Sequence, residues 1–104
     1  MEEMVKDPSI TQVVDRLRAL FGVGALDTVD YWDGDRCAIG VVSPHAPGRL
    51  VYICTHGKPP ERFYVSLELP PTPGSDLPYA DAGDRDELDF DGLVVVLGQH
   101  LHLQ

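Results

Sequence analysis

Cys54 and His56 stand two apart, the spacing at which a strand of period two points both side chains the same way. A thiol beside an imidazole is the pair from which a thiolate nucleophile is made. It works only if the two come within hydrogen-bond reach and a third group orients the base. The sequence shows no such third group, and a buried cysteine next to a turn histidine is the commoner arrangement. Ser43 and His45 pose the same question more weakly. His100 and His102 are the only close histidine pair. On a helix, positions two apart diverge and cannot share a metal, whereas on a strand they would share a face. The run Asp84 to Gly92 has the composition of a calcium loop but not its order of carboxylates, central glycine and final glutamate. Gly22-x-Gly24 follows a helical pattern, while a phosphate-binding fingerprint needs a strand before it and a helix after it. Among 17 carboxylates no acid–base pair can be singled out. The residues therefore supply no catalytic set, and neither a metal nor a cofactor is expected.

The surface is more informative. Tyr31-Trp32-Asp33-Gly34-Asp35 sets two aromatics beside acids at a predicted hairpin end, and Tyr79 lies in an acidic stretch. Tyr and Trp flanked by charge are typical anchors of protein interfaces. The competing reading is that Tyr31 or Trp32 packs in the core, since neighbours on a strand face opposite ways. Between Asp76 and Asp91 seven acids stand against Arg85 alone, a net of −6 out of the chain's −9. Trp32, Asp33, Asp35, Tyr79, Asp81, Asp84, Asp86 and Glu87 are thus the candidate partner-binding residues. The eight Lys and Arg are scattered, so the clustered positive charge that phosphate binding needs is missing, and nucleic acid is not an expected partner. An acidic surface either attracts a basic protein or simply keeps the chain in solution.

The 104 residues are expected to form one domain, 1–104, with a modest core. No apolar run approaches the roughly 18 residues of a membrane span, and residues 1–7 lack the apolar core of a secretory signal. A cytoplasmic location is the expectation, and with it reduced thiols at Cys37 and Cys54 rather than a disulfide.

The elements follow from punctuation and period. Asp7-Pro8 reads as a helix start. Ile10, Val13, Val14, Leu17, Leu20 and Phe21 then form one apolar stripe, and Gly22 is a stop. Residues 27–32 and 36–42 are predicted strands joined by an Asp33-Gly34 hairpin turn. Leu50 to Thr55 is apolar on both faces, as a central strand is. In the next strand Phe63, Val65, Leu67 and Leu69 alternate with Tyr64, Ser66 and Glu68. Residues 70–87 read as a long connection. The pattern Phe90, Leu93, Val94, Leu97, Leu101 predicts a closing helix, with a hairpin at Asp91-Gly92 as the alternative. The expected fold is α+β: an antiparallel meander of about four strands with both helices on one face. Its core is expected to include Val13, Leu17, Leu20, Phe21, Ile53, Val65, Phe90, Leu93, Val94 and Leu97.

An N-terminal helix, a meander carrying Asp30-Tyr31-Trp32-Asp33 and Leu50-Val51-Tyr52-Ile53-Cys54-Thr55, and a C-terminal helix together resemble small bacterial immunity-type domains. Such proteins are encoded beside secreted toxins and neutralise them by binding. The resemblance implies a non-enzymatic acidic inhibitor that occludes a basic toxin's active site, and it carries no residue assignments. Two other readings stand beside it: a small enzyme or ligand-binding domain using the Cys54/His56 region, and a structural homodimer formed through an exposed sheet edge.

Overall fold

The computed structural model describes residues 6–29 and 35–103. Its first helix forms where capping chemistry and apolar spacing coincide. α1 spans Pro8–Phe21, with Pro8 in the first turn and Gly22 at the end. The Asp7 carboxylate accepts from the Ser9 N–H at 3.0 Å and from its hydroxyl at 2.6 Å, which satisfies one of the donors every helix start leaves open. Ile10, Val13, Val14 and Leu17 are buried. Leu20 is not: it is 56% exposed, against the expectation that it joins the core. At about 100° per residue Leu20 falls at the margin of the stripe, and Phe21 takes the inward position of the last turn.

After a 3-10 turn at Val23–Ala25 come β1 (Asp27–Val29), β2 (Ala38–Val42), β3 (Leu50–Cys54), β4 (Phe63–Leu69) and β5 (Ala80–Leu88), then α2 (Phe90–His100). The strands pair antiparallel in chain order, a five-stranded meander. The sheet thus has one strand more than the expected four. β5 occupies part of the stretch 70–87 that reads as a connection in the sequence. Asp, Ala and Gly are poor strand formers, but an edge strand pairs on one side only and tolerates them. The expected continuation of the first strand through residues 30–32 and the Asp33-Gly34 turn lie outside the described residues.

Register decides which face is buried. Ile39 opposes Ile53 and Val41 opposes Val51, while Ile53 opposes Val65 and Val51 opposes Leu67. Directly opposed residues share a face, and these form one continuous cluster with α1 and with Leu93, Leu97 and Leu101. Phe21, Phe90 and Val94 pack half-buried against it. The Arg16 guanidinium lies 3.8 Å from the centre of the Phe90 ring and joins the two helices. Asp91-Gly92 falls in the first turn of α2, whose cap Asp89 accepts from the Gly92 N–H at 2.8 Å, so the helix and not the hairpin forms. Among the described residues, no helix is long and apolar enough to cross a membrane.

The last turn of α2 is pinned to the sheet through His100. Its Nε2 donates to the Glu68 carbonyl at 2.8 Å, and Arg49 donates to its backbone carbonyl at 3.3 Å. Burial pushes the imidazole below its ordinary 6.5. The folded protein therefore takes up this proton at a lower pH than the unfolded chain does. Below 6.5 the unfolded chain is the better proton binder, and this site's contribution to stability is lost as the pH falls. His100→Gln keeps a donor for Glu68 and removes the titration. The difference in unfolding free energy between wild type and His100→Gln should shrink as the pH drops from about 7 to about 5, measured by urea denaturation. A difference independent of pH contradicts the assignment. In the same assay Leu17→Ala should cost about 2–5 kcal/mol, and Leu20→Ala no more than about 0.5 kcal/mol.

Candidate functional site

With both helices on one face of the sheet, no helix among the described residues covers the other. That open face displays the out-pointing half of the period-two pattern: Tyr52 and Cys54 on β3, and Tyr64, Ser66 and Glu68 on β4. Tyr52 and Tyr64 meet edge to face, with ring centroids 6.3 Å apart and planes at 73°, the geometry that ring quadrupoles favour. Burial, followed by contact with Cys54, holds the Tyr52 phenol well above its ordinary value, and the charge of Asp35 adds to the effect.

β5 extends this face with carboxylates. Asp81, Asp84 and Asp86 are spaced by three and then two, so a regular strand would turn Asp81 away from the other two. The first of two bulges corrects this, and the second turns Leu88 back to the core side. Ser66 pairs with Asp84 and Glu68 with Asp81, so three steps on β5 match two on β4. The same slip recurs between Val65–Arg85 and Phe63–Leu88. The first bulge turns at Gly83, whose φ of +99° suits glycine, and the Asp81 carboxylate braces it by accepting from the Gly83 N–H at 2.8 Å. The second turns at Glu87, φ +56°, and Asp86 accepts from the Glu87 N–H at 2.8 Å. As a result Asp81, Asp84 and Asp86 line one face, while Ala82 and Leu88 turn to the core.

Local partners set the electrostatics. The Tyr64 hydroxyl donates to Asp84 at 2.9 Å, and this bond, ahead of burial and the neighbouring acids, raises the phenol. Lys58 pairs with Asp86 and, at 3.1 Å, with Glu87, and its bond holds the Asp86 carboxyl below the usual range. Glu68 is held above the usual carboxylate range by burial and then by Asp81.

The sequence candidates thus separate. Asp81, Asp84 and Asp86 come together on the open face, and Glu87 stands in the bulge beside them. Asp35 takes part through its charge on Tyr52, while its carboxylate accepts from the Cys37 N–H at 2.9 Å. Tyr79 is 43% exposed and lines a groove of about 740 Å³ at the far end of the same face. Trp32 and Asp33 lie outside the described residues. Sequence reasoning passed over Tyr52, Tyr64 and Glu68, although the alternation in β4 already set Tyr64 and Glu68 opposite the apolar set; Tyr52 gave no such signal, because its strand reads as apolar on both faces.

No hydrogen bond joins Cys54 to His56 among the described residues. β3 ends at Cys54, so the period-two argument stops before His56. Cys54 opposes Ala38 on the open face. His56 instead lines a cavity of about 380 Å³ at the start of α1, together with Cys37 and Thr55. The Cys37 carbonyl accepts from the Thr55 N–H at 2.9 Å, so the two cysteines occupy successive positions of the ladder and face opposite sides. Both thiols are free. His100 and His102 also part company, one buried against β4 and the other exposed.

Comparison with family models, with curated proteins and with solved structures finds no match to this chain.

Asp84→Ala should move the Tyr64 phenol down toward 10.0, followed through the ring carbon resonances of labelled tyrosine in a pH titration. An unchanged Tyr64 titration would mean that the bond to Asp84 does not form in solution.

Proposed function

We propose that the protein is a non-enzymatic interaction module that binds a basic protein on its open sheet face, as an immunity-type domain does when it occludes a toxin. The supporting observation is the alignment of Asp81, Asp84 and Asp86 beside Tyr64 and Tyr52 on the face that no described helix covers. Solubility alone needs acids scattered anywhere on the surface. Here the bulge at Gly83 brings Asp81 to the same side as Asp84, Asp86 and an aromatic pair. Lys58 already pairs with Asp86, while no cation among the described residues pairs with Asp81 or Asp84, and their charge speeds the encounter with a cationic surface. The tyrosines supply rigid area of the kind that anchors an interface.

The reading as an enzyme at Cys54 and His56 lacks the hydrogen bond between them that it needs. Self-association through the β5 edge would set Asp81, Asp84 and Asp86 against their own copies, and like charges placed opposite one another repel.

The test is capture on the immobilised protein from lysate at low salt, with elution at high salt, repeated with the triple variant Asp81→Asn, Asp84→Asn, Asp86→Asn. Asparagine keeps the acceptor oxygens that brace the bulges and receive Tyr64, so only charge is lost. One basic protein held by the wild type should bind the variant at least about tenfold more weakly, mainly through slower association. An empty column, or equal binding by the variant, overturns the proposal.

A further inference from the structure

The groove beside Tyr79 adds a feature that the acidic edge lacks. Much of its lining is apolar, with Val42, Leu50, Pro47 and Pro78 beside the Tyr79 ring. Glu68 and Asp27 line the same groove. No cation among the described residues pairs with the Glu68 carboxylate. Arg49 also lines the groove, but its guanidinium donates to the His100 carbonyl at 3.3 Å. One side of the groove is closely packed at Gly48. Gly48, at φ +82°, lies so close to Pro70 that a Cβ there would meet the ring at 2.7 Å.

An apolar lining, an aromatic ring and a carboxylate without a partner select a long side chain with a charged end. A lysine ammonium holds its water strongly. A guanidinium sheds water more readily, stacks on an aromatic ring and meets a carboxylate with two parallel donors. Its three-carbon stem covers apolar surface while the charge reaches beyond it. Building on the interaction reading above, we infer that this groove receives an arginine side chain of the partner, its stem against Leu50 and Tyr79 and its guanidinium at Glu68. The groove borders the β5 carboxylates at Asp81, which opposes Glu68, but differs from them in its apolar lining, and it would fix the register of the docked partner. Burial and the charge of Asp81 hold the Glu68 carboxyl above the usual range, so an incoming cation stabilises a charge that the free protein carries at a cost.

The experiment is a titration of the uniformly nitrogen-15-labelled full chain with N-acetyl-arginine amide, followed by amide shifts. N-acetyl-citrulline amide, the neutral isostere, serves as control. Saturable shifts confined to Leu50, Glu68, Tyr79 and their neighbours are expected, with a dissociation constant on the order of 1–10 mM for so small a probe. Citrulline should leave them unmoved, Glu68→Gln should abolish them, and Tyr79→Ala should weaken binding at least about fivefold. Both replacements are at sites where the fold loses little, and each variant's spectrum reports its folding directly. Equal shifts with citrulline, shifts centred on Asp81 to Asp86, or no saturable shift up to about 50 mM each overturn the inference. The arms also separate the two proposals. If a captured partner is lost with the triple asparagine variant but bound normally by Glu68→Gln and Tyr79→Ala, the groove falls and the module reading stands. If the column stays empty while arginine alone gives the expected shifts, the groove stands as an arginine site and the module reading falls.

Discussion

Both helices press their apolar stripes against the same side of one sheet, and every other feature of the molecule follows from that one-sided burial. Ile53 and Val65 face each other at the centre with no exposure to solvent, and α1 and α2 close over them with Leu17, Leu93 and Leu97. A full apolar set on one face of β3 and β4 obliges the alternate positions to point the other way. Tyr52, Tyr64 and Glu68 are therefore placed outward by the same pattern that places Ile53, Val65 and Leu67 inward. The core and the open face are two readings of a single alternation.

Much of this was legible in the residue order. Asp7-Pro8 and Gly22 bracket α1, and the alternation of β4 is visible by eye, because capping and period are local properties that tertiary contacts here only reinforce. Asp89, Leu93 and Leu97 mark α2 in the same way. What was not legible was β5. A strand is recognised by its period, and two bulges break the period of Ala80–Leu88 twice in nine residues. The acids were visible as a cluster, but their common direction was not, since it depends on where the register slips against β4. Leu20 failed for a simpler reason: a residue at the margin of a helical stripe is buried or exposed according to how far the sheet extends beneath it.

The histidines and cysteines show how a motif dissolves once the chain is folded. Cys54 and His56 are separated by the end of a strand, Cys37 and Cys54 by one step of a ladder, and His100 and His102 by the end of a helix. In the Cys54/His56 and His100/His102 pairs the boundary of an element falls between the two residues. His100 instead serves as a fastener, joining the end of α2 to the β4 backbone at Glu68, the residue whose side chain looks out into the groove. The groove and the seat of the helix thus meet at one residue.

The bulges of β5 have a consequence for how the molecule keeps company with itself. A straight outer strand offers an even row of donors and acceptors, and another chain can add to it indefinitely. β5 is crimped at Gly83 and Glu87, and its outward peptide groups no longer fall on a regular grid. The bulge at Gly83 that brings Asp81 round to the side of Asp84 and Asp86 also breaks the even row at the sheet's fifth strand. Straightening it would disperse the charges and, in the same stroke, open a template for a second copy of the chain.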